Sequence, residues 1–287
     1  MIISASRRTD IPAYYSDWFF NRLAAGFVRV ANPFNPRQVR EVSLRPQDVD
    51  CFVFWSKNPA PLLLRLSELQ AYKFYFQFTL NPYDKDVEPG LPEKSDLLKT
   101  FSELAQAVGA ARVVWRYDPI VITPKYDIAW HKRSFAMYCQ ALTGKTRRVV
   151  ISFVDVYRGV AAGLRELAAI PLSEEMFAEL AGSFAETAAK FELSIESCCE
   201  PGDLRRFNIQ PGRCIDDRII SDLAGRKLEL SRDRNQRPGC GCVASVDIGA
   251  YSTCAAGCRY CYANKGAVRV AANCRHHDPF SPFLLPP

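Results

Sequence analysis

The sequence predicts an α/β fold: a partial (β/α)6, TIM-like barrel whose mouth is closed by a cysteine-rich C-terminal tail. Three observations carry this. Six short runs are rich in β-branched and aromatic residues, helical patterns separate them, and each run ends in polar residues.

In chain order, strands are expected at 1–5 (MIISA), 50–56 (DCFVFWS), 73–80 (KFYFQFTL), 112–118 (RVVWRYD), 147–154 (RRVVISFV) and 192–198 (ELSIESC). Helices are expected at 15–25, 60–70, 94–108, 127–142 and 174–190. Asn58-Pro59 opens the second helix, Asp127 the fourth, and Ser173 followed by Glu174 and Glu175 the fifth. Gly109 and Gly144 fall just beyond helix ends, where a left-handed cap is wanted. Residues 27–48 read as a strand-turn-strand insertion. No internal repeat is evident.

Strands alternating with helices argue for βα units and a parallel sheet, with sites at the carboxyl ends of the strands. Those ends read SRRTD, SKN, TLN, RYDP, VDVY and ESCCE. Successive strand side chains face opposite ways. In the third strand Phe74, Phe76, Phe78 and Leu80 share one face, and Lys73, Tyr75, Gln77, Thr79 and Asn81 the other. Arg116 and Asp118 stand opposite Val113, Trp115 and Tyr117; Ser194, Glu196 and Cys198 stand opposite Leu193, Ile195 and Ser197. The apolar faces belong under the helices. The polar ones are expected to line a cavity, because isolated buried polar groups are costly.

The chain has 287 residues, 48 % hydrophobic and 24 % charged, enough to bury a large core. Its net charge of +6 tolerates an anionic substrate but does not demand nucleic acid. The opening MIISASRRTDIP has no apolar signal-peptide core, and the apolar run AYKFYFQFTL is too short for a membrane span. The expectation is a cytoplasmic protein with no membrane partner. Eleven cysteines in a reducing compartment, an odd number, fit metal binding better than disulfides.

Cys254, Cys258 and Cys261 stand in TCAAGCRYCYAN at C-x3-C-x2-C spacing. A closed zinc site wants four ligands and a different spacing. Three thiolates on a cubane leave one iron open to a small molecule, so a count of three is a positive feature.

This triplet, with Tyr260 before its last cysteine and Tyr262 after it, resembles the signature of radical S-adenosylmethionine (SAM) enzymes. GCRYCYAN is similar to the spore photoproduct lyase branch. The set SASRRTDIP, FWSKNP, WRYDP, ESCCEP, NQRPGCGC, DIGAYSTC and CRYCYAN is similar to the DUF1848 family. The radical SAM resemblance implies a [4Fe–4S] cluster on the three cysteines, SAM chelated to its unique iron, a partial (β/α)6 barrel, and a reductant such as flavodoxin or ferredoxin. Radical SAM enzymes usually carry the triplet after the first strand; here it lies in the tail. Candidate contacts to a small-molecule or anionic substrate, or to SAM, are Arg7, Arg8, Asp10, Lys57, Asn58, Gln77, Arg116, Asp118, Asp155 and Glu196, since arginines pair well with carboxylates and phosphates.

The expected division is a barrel over 1–199 and a cysteine-rich segment over 200–287. In that second part Cys214, Cys240 and Cys242, joined by Cys198 or Cys199, form a possible second centre; iron–sulfur, zinc and plain buried thiols all stay open. Cys51 and Cys139 read as core, and His276 and His277 as solvated tail. Repair or modification of a nucleic-acid lesion, and a non-catalytic iron–sulfur or zinc protein, are the competing readings.

Overall fold

The computed structural model describes residues 1–287 except 157, 158, 201–203 and 238, so Tyr157, Pro201 and Pro238 of the strings above lie outside it. All six expected strands form: β1 (Ile2–Ala5), β4 (Cys51–Ser56), β5 (Phe74–Thr79), β6 (Val113–Ile120), β7 (Arg148–Phe153) and β8 (Ser194–Ser197). Between β1 and β4 the insertion is a hairpin of β2 (Phe27–Asn32) and β3 (Asn35–Ser43), paired antiparallel apart from the main sheet. Two further strands come from the tail, β9 (Gln210–Pro211) and β10 (Val246–Asp247).

The main sheet runs β10-β1-β4-β5-β6-β7-β8-β9, every neighbour parallel. The six expected strands thus lie side by side in chain order. The ladder is open, and residues beyond 199 supply both of its edges.

The helices are α1 (Ile11–Tyr14), α2 (Ser16–Ala25), α3 (Ala60–Leu63), α4 (Lys94–Val108), α5 (Ile128–Leu142), α6 (Ala161–Glu166), α7 (Glu174–Lys190), α8 (Asp217–Ala224) and α9 (Ala267–Arg275). Asp127 caps α5 by accepting from Trp130 N at 2.7 Å, and Ser173 caps α7 by accepting from Met176 N at 3.2 Å. Gly109 and Gly144 take the expected positive φ of 88° and 74°. The second expected helix is shorter than 60–70 because Leu64 and Arg65 break it before a 3-10 turn.

One face of the sheet is apolar as its alternation requires. Phe52, Phe54, Phe76, Phe78, Trp115, Tyr117 and Ile151 pack with Phe19, Phe101, Phe135 and Phe184 of the helices, and the Phe135 and Phe184 rings stack at 4.1 Å. The opposite face is not an open cavity along its length. Val53, Tyr75, Val114 and Val150 pack against Ile215, Ile219, Ile220 and Val243 of the tail. The tail therefore plugs this face, and Tyr75 fastens it: its hydroxyl donates to Cys214 O at 2.7 Å and accepts from Asp216 N at 3.0 Å.

Candidate metal centre

Because β10 lies parallel to β1, the chain leaves both strands at the same end of the sheet. Asp247 ties the two exits together, accepting from Ser4 Oγ at 3.0 Å, Ser6 Oγ at 2.7 Å and the backbone N of Arg7 at 2.8 Å. The loop after β10 carries the cysteine triplet. It is held from three sides: Tyr15 Oη donates to Thr253 O at 2.5 Å, Gly90 N to Ala256 O at 3.0 Å, and Arg259 N to Val87 O at 3.0 Å. Two glycines make the approach possible. A Cβ at Gly90 would stand 2.6 Å from Ala255 O, and one at Gly163 would stand 2.1 Å from Arg259 O.

Burial pushes the thiols of Cys254, Cys258 and Cys261 up, Cys254 to about 12. Backbone N–H groups of Ala256 and Asp10 aim at the Cys254 sulfur, and those of Ala263 and Asn264 at the Cys261 sulfur. Lys57 supplies a cation beside Cys258 and Cys261. This donor set fits a [4Fe–4S] cluster: soft sulfur ligands, N–H donors to sulfur, and a half-buried cation against its negative charge. Metal binding must displace the thiol protons that burial retains.

Below the triplet lies a buried network that sequence reading missed. Glu88 is 1 % exposed and bridges Lys57 at 2.8 Å and Lys94. Burial raises its pKa, but the two ammonium groups outweigh this and hold the carboxylate below its ordinary range. Tyr260 Oη donates to Glu88 and accepts from Lys57 Nζ at 2.8 Å and from Asn81 Nδ2 at 3.1 Å. The aromatic inside the motif is thus an anchor for the loop. Glu88 sits in PYDKDVEPG, which reads as a solvated turn, so only the contact with Lys57 reveals it.

Of the expected strand-end residues, several meet here and others do not. Asp10 accepts from Lys57 N at 2.7 Å and caps α1 through Ala13 N at 3.0 Å. Arg116, 3 % exposed, donates from Nε to Asp118 at 3.1 Å and from Nη1 to Gln77 at 3.4 Å. The guanidinium groups of Arg116 and Arg7 lie 5.1 and 6.0 Å from the Trp55 ring. Trp55 Nε1 is buried between them with no partner among the described residues. Arg8 reaches back to Gly249 O at 3.4 Å and lies over Tyr251, and Tyr262 Oη donates to Arg7 O at 3.0 Å.

Three expected contacts turn out to fasten the chain to itself. Gln77 donates to Cys214 O at 2.8 Å. Glu196 is ion-paired with Arg218 at 3.1 Å and Arg148 at 3.5 Å under α8. Asn58 accepts from Ala60 N at 3.4 Å, opening α3. Asp155 pairs with Arg237 at the rim, beyond the triplet's surroundings.

The second cysteine set also gathers. Cys198 Sγ stands 3.2 Å from Cys214 Sγ, and Cys242 and Cys240 pack into the same cluster. Its neighbour Cys242 draws the Cys240 thiol down to about 7. Cys199 has a left-handed φ of 55° and interacts with Arg237, Cys198, Glu200 and Asp155. Among the described residues no three His, Cys, Asp or Glu side chains already surround a metal-sized point. Cys274 lies 3.5 Å from Tyr15 Oη and 3.4 Å from Thr253 O, beneath the triplet loop. His276 and His277 bind backbone carbonyls of Ala272 and Leu284 instead. Cys51 and Cys139 are buried core, as expected.

A family model described as a domain of unknown function, DUF1848, matches residues 2–263, from β1 through the whole cysteine triplet. No curated protein and no solved structure matches the chain. None of the described helices is long and apolar enough to cross a membrane.

Proposed function

The chain belongs to the DUF1848 family, and we propose that it is a radical SAM enzyme whose [4Fe–4S] cluster would be held by Cys254, Cys258 and Cys261. The observation that carries this reading is the triplet loop itself. Three thiols at C-x3-C-x2-C spacing sit at the end of the sheet where βα folds place their chemistry, with N–H donors on two sulfurs and Lys57 alongside. The late position of the motif in sequence is offset in space. Since β10 pairs with β1, a loop after β10 stands beside the loop after the first strand. We read the sequential order of six βα strands as a partial barrel, with β9 and β10 as added edges.

The chemistry such a cluster supplies when bound is one-electron reductive cleavage of SAM to a carbon radical competent to abstract hydrogen. The residues of this chain bind, orient and exclude water. Lys57, fixed by Glu88 and by the backbone bond to Asp10, keeps a cation against the sulfurs. Tyr260 fixes the loop height above the sheet. Arg7, beside Trp55 whose buried N–H has no partner among the described residues, fits an anionic small-molecule substrate with oxygen acceptors. A flavodoxin- or ferredoxin-type reductant would deliver the electron.

Anaerobic reconstitution with ferrous iron and sulfide tests the cofactor. About four irons and four sulfides per chain are expected, with none in the Cys254→Ala/Cys258→Ala/Cys261→Ala variant. Equal iron in the variant would defeat the assignment.

A further inference from the structure

We propose that Cys198, Cys214, Cys240 and Cys242 form a second metal centre of a different kind: a single tetrahedral Zn2+ site that staples the tail to the sheet. Three separate segments deliver the four sulfurs: the end of β8, the loop before α8, and the turn Cys240–Cys242. This proposal stands on that cluster alone and does not depend on the SAM reading.

Spacing separates zinc from a second cubane. Two sulfurs on one tetrahedral ion with bonds of about 2.3 Å stand about 3.8 Å apart. Sulfurs on different irons of a cubane are held well beyond mutual contact. Here Cys198 and Cys214 are 3.2 Å apart, and Cys242 and Cys240 pack into the same cluster. On one ion the contact between the Cys198 and Cys214 thiols gives way to metal–sulfur bonds from all four cysteines, and four protons leave to solvent.

The surroundings match the charge. Four thiolates on Zn2+ carry a net charge of −2, and two guanidinium groups lie against them. Arg116 Nη1 donates to Cys214 Sγ at 3.0 Å, and Arg7 interacts with Cys214 and Cys242. Backbone N–H groups add support, Ile215 N to Cys242 Sγ at 3.4 Å and Cys242 N to Cys240 Sγ. Four protein ligands leave no open position, and Cys214 and Cys242 are buried with the tail's apolar residues. Both facts mark a structural rather than a catalytic ion. Cys198 rather than Cys199 is assigned as the ligand because its sulfur is the one in contact with Cys214.

The test is the metal content of the full chain, purified without added metal and again after anaerobic iron–sulfide reconstitution. About one zinc per chain is expected in both states, with an X-ray absorption shell of four sulfurs at about 2.3 Å. Zinc should persist in the Cys254→Ala/Cys258→Ala/Cys261→Ala and Cys199→Ser variants and be lost from Cys214→Ser. Cys240→Ser, at the less buried end of the cluster, keeps the question open to refutation if Cys214→Ser fails to fold; it should hold zinc at least tenfold more weakly. About eight irons without zinc, no bound metal, or unchanged zinc affinity in Cys240→Ser would each overturn the proposal.

Discussion

Lys57 Nζ stands 2.8 Å from Glu88 Oε1, and this pair, closed over by Tyr260, joins the cysteine loop to the carboxyl ends of β4 and β5. Removing one partner of a buried ion pair strands the other. Glu88→Ala is expected to destabilise the fold by about 3 kcal/mol or more, read as a lower urea midpoint with an unchanged slope. An unchanged midpoint would show that the pair contributes nothing.

His131 is fully buried; its Nε2 donates to Val121 O at 3.1 Å, so its Nδ1 accepts from Tyr117 Oη at 2.8 Å. Burial lowers its pKa to about 4. A group with a depressed folded pKa gives stability that is present above its unfolded value and lost as pH falls through the folded one. Stability should therefore drop by about 3 kcal/mol between pH of about 6.5 and about 4. The Glu88 contribution follows the same sign, but its loss begins only below about pH 4.3. Urea titrations across this range should show the His131 slope flattened in His131→Gln. A slope equal to wild type would exclude this origin.

Gly90→Ala would set a methyl group against the backbone oxygens of Ala255 and Ala256, and Gly163→Ala one against Arg259 O. Both should displace the cysteine loop while the sheet survives. The expected result is iron content reduced several-fold with an unaltered far-ultraviolet circular dichroism spectrum. Full iron loading in both variants would show that the loop tolerates displacement.

Tyr75→Phe removes the hydroxyl that serves Cys214 O and Asp216 N inside the plug, leaving the Asp216 N–H unpaired at a cost of about 1–3 kcal/mol. Limited proteolysis should then cut between 200 and 250 while the region before 199 resists. Digestion identical to wild type would show that the tail is held by other contacts.

The sheet was readable because Phe74, Phe76 and Phe78 alternate with Tyr75 and Gln77, a period that only a strand satisfies. The hairpin was readable for the same reason. β9 and β10 were not, since two-residue strands carry no period. Nor was α8, whose buried positions are chiefly Ile219 and Ile220 amid charged neighbours. Missing α8 hid the plug, so Gln77 and Glu196 read as cavity residues although they hold the tail. The cysteine spacing was legible as chemistry. The partners Glu88 and Lys94 were not, because a lone acid in a loop gives no sign of its burial until the fold brings Lys57 to it.

The central claim is tested most directly by one assay. The reconstituted protein is reduced anaerobically in the presence of SAM, and 5′-deoxyadenosine and methionine are quantified. The account predicts both products in equal amounts from wild type, and neither above the protein-free background from Cys254→Ala, Cys258→Ala or Cys261→Ala. Wild-type protein carrying its full iron and sulfide complement yet forming no 5′-deoxyadenosine would contradict it.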